Sequence, residues 1–240
     1  MFRPPLWTPP HDAAAVARLP DLIKSLNTRL CGIAARFTRV KLASSLAAED
    51  MVITDAIVRL KLPFEIFTLN TGKLNAEIVA LLSVAKQHWG LTIVEYMPEA
   101  AVAAQYVREY GENAFYDSVA LRRLCCHIRK IEPLNRALAD ADAWLSGQRR
   151  EQSDTRAELG LAEHDSARDI AKFNPIFDWH ETDVWAYAEQ YDLPINALYH
   201  QGYPSIGCEP CTKPVKAGED IRAGRWWWES RDSKECGLHK

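Results

Sequence analysis

No stretch of this 240-residue chain is apolar over the length that a membrane crossing needs, and no apolar run near its start resembles a secretory leader. Charge of one sign is missing too. The 29 Lys and Arg stand against 32 Asp and Glu, a formal net charge of −3, which argues against an extended polyanion such as a nucleic acid as partner. There is no internal repeat and no low-complexity block, which excludes repeat architectures and long disordered linkers. Glycine is absent from Ala43 to Asp50, so no glycine-rich phosphate loop is written there. These absences lead to the expectation of a cytosolic, reducing setting. There, paired cysteines read as metal-binding or catalytic before they read as disulfides.

What is present is an ordinary globular composition, 48% hydrophobic and 25% charged, sufficient for one large core. Residues 1–12, with four prolines, read as a loose arm. Residues 13–196 read as a nucleotide-binding α/β domain, and 197–240 as an irregular cysteine-bearing segment packed on it. Strands are expected at Val40–Ala43, Phe64–Leu69, Leu91–Tyr96, Ala143–Ser146 and Ala171–Ile176. Helices are expected at Ala47–Leu60, from Leu74 to Trp89, at Ala100–Tyr110, at Leu121–Lys130 and at Leu134–Ala139, the last two broken near Pro133. Another is expected after the Trp179–Thr182 turn. Strands alternating with helices predict a parallel sheet covered on both faces. Beyond about residue 196, Pro, Gly, Cys and Trp dominate, and order is expected to come from a ligand or cofactor.

The six cysteines are unevenly spread. Cys125 and Cys126 are adjacent, Cys208 and Cys211 form a C-x-x-C, and Cys236 stands alone between Lys234 and His239. Side chains at i and i+1 of a helix diverge by about 100°, so Cys125 and Cys126 reach a bulky cluster more easily than one small ion. Four thiolates suit a [4Fe-4S] cluster. A four-cysteine zinc site and plain core packing stay open on the same residues. Cys31, among Leu30, Ile33 and Ala34, reads as core. Nearby cations favour a thiolate at Cys236, and with no resolving cysteine beside it an adduct there requires an outside thiol.

The first strand leads through Ser44 and Ser45 to a helix start with Glu49 and Asp50. A strand, a hydroxyl-bearing turn and a helix N-terminus can hold an anion. Ser45 as an N-cap with two acids in the first turn explains the same residues structurally. Basic pairs at Arg122-Arg123, Arg129-Lys130 and Arg149-Arg150, with Arg222 and Arg225, suit a small anionic ligand. Trp226-Trp227-Trp228 reads as an anchor for the tail. His127 reads as structural, and His164 and His180 carry no assigned role.

From about residue 40 onward these motifs carry a resemblance. They are Cys125-Cys126-His127-Ile128-Arg129-Lys130, Gly147–Ser153 with Thr155-Arg156, Lys172–Pro175, Gln201–Cys208, Arg222–Glu229 and Glu235–His239. The chain resembles the assimilatory sulfonucleotide (PAPS) reductase family, in particular the bacterial iron–sulfur adenylyl-sulfate (APS) reductases. Their fold is similar to that of the PP-loop, adenine-nucleotide alpha-hydrolase group. The resemblance implies reduction of APS to sulfite and AMP with thioredoxin. It implies Cys125, Cys126, Cys208 and Cys211 as ligands of a [4Fe-4S] cluster, and Cys236 as the nucleophile in a mobile tail that closes on the site. Lys130, Arg222, Arg225 and His239 would bind the sulfate and phosphate, with Arg149 and Arg156 beside them. Ser44, Ser45, Glu49 and Asp50 would form the nucleotide loop, with Gly147 nearby, and Leu69, Asn70 and Thr71 would line the adenosine pocket.

Two departures accompany the resemblance. Leu46-Ala47 stand where the family often has Ser-Gly, and Asn70 stands where it often has Asp. No thioredoxin-like segment follows Cys236 in these residues, so the reductant is expected in trans. A homo-oligomer stays open. The alternatives are a PAPS reductase, a PP-loop enzyme that thiolates tRNA, and a zinc-binding interaction module. A nucleotide assay, the net charge and the colour of the protein respectively discriminate them.

Overall fold

The computed structural model describes residues 4–153 and 156–230. A six-stranded sheet runs in the order β3-β2-β1-β4-β6-β5. The strands are β1 (Val40–Ala43), β2 (Glu65–Leu69), β3 (Val94–Tyr96), β4 (Ala143–Leu145), β5 (Ala162–Asp165) and β6 (Ile170–Phe173). All neighbours pair parallel except β5 with β6, which is antiparallel. The expected sheet is therefore present with one antiparallel edge strand added. The expected fifth strand, Ala171–Ile176, stops at Phe173. Asn174 instead turns its side chain to Ser146 and Glu163, and Pro175 has no amide hydrogen to continue a ladder.

Helices cover both faces. They are α1 (Ala13–Ala34), α2 (Ala48–Arg59), α3 (Ala76–Trp89), α4 (Ala100–Tyr110), α5 (Val119–Cys126), α6 (Glu132–Leu138) and α7 (Glu181–Gln190). Alternate residues of each strand face opposite sides. Leu42, Ile66 and Leu145 join the main core with α1, α2 and α7, whereas Phe67 and Trp144 meet Leu134 and Leu138 of α6 on the other side. The long α1 is an addition to the sequence expectation. Asp12 caps it by accepting from the Ala14 amide at 2.9 Å, and Leu19, Leu26, Leu30 and Ile33 are its buried face. Cys31 lies on the opposite, exposed side of α1, so its expected place in the core is wrong.

The break expected near Pro133 does not occur. A π-helical turn, His127–Ile131, joins α5 to α6, and Pro133 falls in the first turn of α6, where a missing amide hydrogen costs nothing. Residues 4–12, part of the expected loose arm, are tied down. Leu6 bridges Lys216, the Trp7 amide donates to the Val215 carbonyl at 3.0 Å, and the Trp7 ring packs near Trp185 and Tyr199. Gly202, with φ of +88°, leaves the space that Leu6 fills.

Candidate active site

Strand order reverses between β1 and β4: β1 is followed by β2 on one side, and β4 lies on the other. At such a point the loops leaving the strand C-termini diverge and open a crevice. A cavity of about 260 Å³ lies there, between the loops after β1, β2 and β4. Of the residues singled out by sequence, Ser44, Ser45, Glu49, Asp50, Leu69, Thr71, Lys130, Gly147, Arg156, Arg222 and Arg225 line it. Arg149 and Asn70 do not. Cys236 and His239 lie outside the described residues.

The loop after β1 works without glycine. Leu46 takes a left-handed φ of +60°, a conformation costing a non-glycine residue about 1–2 kcal/mol. Its buried side chain anchors the turn in the core. Ser45 is not the N-cap of α2. That position is Ala47, and the Ala48 amide donates instead to the Tyr199 hydroxyl at 3.0 Å. Ser45 serves Asp50: its amide and its hydroxyl each donate to Asp50 Oδ2 at 2.7 Å. Burial pushes the Asp50 carboxyl up to about 7, against the Ser45 bonds and the Gly147 amide, which favour the carboxylate. Asp50 thus ties the β1 and β4 loops together. A Cβ on Gly147 would stand 2.4 Å from Asp50 Oδ1, so only glycine permits this approach.

Arg149 is buried and neutralised. Its Nη2 donates to Glu49 Oε1 at 2.9 Å and its Nη1 to Glu151 Oε2 at 3.1 Å. It braces the acidic end of the loop and offers no charge to the cavity. Asn70 donates to Glu95 at 2.7 Å and accepts from the Gly72 amide at 3.1 Å. It shapes the turn that presents Thr71. Ser146, Gln148, Gln152 and Tyr199 line the cavity and were missed as site residues. Gln148 and Gln152 stand inside the Gly147–Ser153 motif, which was the available signal.

Cys125, Cys126, Cys208 and Cys211 border a second, smaller cavity, with Lys73, Arg122, Arg129 and Lys130 around it. The π turn after Cys126 alters the helical phase so that Lys130 also reaches the larger cavity. Lys130, Cys208 and Trp226 line both, so the two cavities share a wall. The Cys211 amide closes the C-x-x-C turn on the Cys208 carbonyl at 2.9 Å. Thr71 Oγ1 accepts from the Lys73 amide at 3.2 Å and lies 3.3 Å from Cys208 Sγ, to which it is placed to donate.

The thiols differ in character. Burial and the neighbouring Cys126 push Cys125 up to about 11, and burial and Cys208 push Cys211 up to about 12. Burial also opposes the Cys208 thiolate, but Lys130, the Thr71 hydroxyl, Arg225 and Arg129 outweigh it and hold that thiol below its ordinary value. Soft ligands that disfavour one another's ionisation in a closed pocket are the arrangement a bound cation resolves. Four thiols bordering one cavity are a donor set that suits a thiolate-bound metal group.

The segment leading toward Cys236 is fixed to this wall. The Trp226 amide donates to the Cys211 carbonyl at 3.0 Å. Glu229 accepts from Arg122 Nε at 2.9 Å and from Nη2 at 2.8 Å, with both side chains buried. The Arg122 guanidinium also stacks on Trp226 at 4.8 Å. Breaking such a pair strands a buried charge. Glu229→Ala is expected to lower stability by about 3–5 kcal/mol, measured by denaturant unfolding, while Glu132→Ala in the exposed Glu132–Arg136 pair shifts it by less than about 1 kcal/mol.

A mostly parallel sheet with a cavity at its switch point, walled by serine-bearing and cationic loops, defines an α/β protein with its site at the carboxyl ends of the strands. Residues 39–214 match the phosphoadenosine phosphosulfate reductase domain, and the chain belongs to that family. It is 56% identical over 230 residues to an adenosine 5'-phosphosulfate reductase of Burkholderia cepacia, covering 95% of this chain and 92% of that one. It is also 56% identical to the protein of that name from Neisseria meningitidis serogroup B, covering 100% and 98%. The corresponding protein of Allochromatium vinosum is 48% identical, over 97% and 86%. In solved structures, a phosphoadenylyl-sulfate reductase from Candida auris shares the fold with a TM-score of 0.69 at 22% identity, over 86% of this chain and 100% of that one. An FMN adenylyltransferase from Candida glabrata does so at 0.58 and 11%, over 96% and 82%. Among the described residues, no helix is long and apolar enough to cross a membrane.

Proposed function

We propose that this chain reduces adenosine 5'-phosphosulfate to sulfite and AMP in sulfate assimilation, with a dithiol protein of the thioredoxin type as reductant. The observation that carries the reading is the shared wall: Lys130 and Cys208 stand between a nucleotide-sized cavity and a pocket of four thiols. The names of relatives 48–56% identical over nearly the whole chain support the same substrate.

The loop Ser44–Asp50 and the α2 N-terminus receive the nucleotide, and Lys130, Arg222 and Arg225 offset the charge of its sulfate and phosphate. The Cys236 thiolate attacks the sulfate sulfur. A sulfur–sulfur bond forms, the bond from that sulfur to the bridging phosphate oxygen breaks, and AMP departs with the electron pair. A thiolate of the dithiol protein then attacks the Cys236 sulfur and sulfite leaves. The reductant's second thiol displaces Cys236, so the dithiol is oxidised to a disulfide by two electrons while the transferred sulfur is reduced to sulfite. Trp226 lines both cavities and stands ten positions before Cys236 in the sequence. Cys125, Cys126, Cys208 and Cys211 would hold a [4Fe-4S] cluster. When bound, the cluster supplies a fixed charge distribution beside the substrate anion.

The direct test supplies APS and, separately, its 3'-phosphorylated analogue to the purified enzyme with thioredoxin. Sulfite and AMP from APS are expected. A large preference for the phosphorylated nucleotide would overturn the choice of substrate. Absorbance near 400 nm in the purified protein tests the cluster, and a colourless protein holding one zinc would contradict it.

A further inference from the structure

Behind the nucleotide cavity lies a polar chain, buried except at Glu163, that the reaction above does not use. Lys172 Nζ donates to Gln148 Oε1 at 2.8 Å and to Glu163 Oε2 at 2.8 Å. Asn174 Nδ2 donates to the same Glu163 oxygen at 2.9 Å, and its Oδ1 accepts from the Ser146 hydroxyl at 2.7 Å. Both Lys172 and Gln148 are more than nine-tenths buried. Only Gln148 and Ser146 of this chain reach the cavity wall.

An ammonium group can only donate, so the Lys172 contact fixes which way the Gln148 amide faces. Its oxygen points back at Lys172, which does not line the cavity, and its Nε2 turns toward the side that does. Among the described residues, no acceptor meets that Nε2. Gln148 is buried as a residue, and this end of its amide borders the space where a ligand sits. The ammonium on the oxygen also polarises the amide and strengthens its other end as a donor.

We propose that Gln148 binds the nucleotide directly, its Nε2 donating to a phosphate oxygen. This rests on the nucleotide reading above. The phosphate is singled out by position and by chemistry. The preceding residue, Gly147, lies against Asp50 in the first turn of α2, so Gln148 stands beside the helix end that draws an anion. A polarised donor gains most from a charged acceptor.

Calorimetric titration of the intact enzyme with AMP and with adenosine tests this. Gln148→Glu keeps a partner for Lys172, so the fold is retained, but it replaces the donor with an acceptor. AMP affinity is expected to fall by tenfold or more, an estimate of about one charged hydrogen bond, with adenosine affinity changed by less than about twofold. Gln148→Met is expected to lose about tenfold for AMP. Lys172→Met, which frees the amide to rotate, is expected to lose less than Gln148→Met does, yet measurably. Wild-type AMP affinity in Gln148→Glu, or an equal loss for AMP and adenosine, would overturn the assignment. Failure of the wild-type enzyme to bind AMP would instead overturn the nucleotide reading itself.

Discussion

Replacing Cys236 by serine abolishes sulfite release, with turnover falling more than ~10³-fold, while AMP binds with unchanged affinity. A hydroxyl has nearly the size of a thiol but is far less acidic, and at neutral pH it offers almost no anion to attack sulfur. The cavity itself is built by the β1, β2 and β4 loops and by Lys130, Arg222 and Arg225, all of which the substitution leaves in place. Stopped-flow or discontinuous sulfite assays with APS and thioredoxin measure the loss. Calorimetry with AMP measures the retained binding. A merely structural role for Cys236 would lower binding and turnover together.

Lys130→Met produces the second large effect, a fall of about 10²–10³ in kcat/KM for APS. Lys130 sits in the π turn between α5 and α6 and lines both cavities. In the proposed reaction its ammonium stands where the thiolate and the sulfate approach each other. That repulsion is greatest as the sulfur–sulfur bond forms, so kcat is expected to fall more than AMP affinity does. Lys130→Arg, which keeps the charge, is expected to recover part of the rate. Equal losses in kcat and in AMP affinity would instead assign Lys130 to uniform binding.

Much of this site was legible in the sequence because its signals are local. The alternation of apolar runs placed β1 at Val40–Ala43 and α4 at Ala100–Tyr110, as the structure has them. The residue types of Lys130, Arg222 and Arg225 marked an anion site, and the structure brings them to one cavity. Other parts depend on partners distant in the chain. Arg149 looked like a substrate cation, but Glu49, a hundred residues earlier, claims it. The orientation of Gln148 follows from Lys172, twenty-four residues later. Ser45 carries the hydroxyl expected of a cap, yet Asp50 takes both of its donors. The long α1 was hidden by Pro20 in its interior, although Leu19, Leu26, Leu30 and Ile33 hold helical spacing. The edge strand β5 escaped because Glu163 and His164 are exposed and interrupt any apolar run. The π turn has no sequence signature beyond the proximity of Pro133.

Intact-mass spectrometry of the enzyme incubated with APS in the absence of reductant tests the central claim most directly. The account requires one added sulfonate per chain, located on Cys236 by peptide mapping and released as sulfite when thioredoxin is added. An unmodified chain that still yields sulfite on addition of reductant, or a sulfonate mapped to another cysteine, would contradict it.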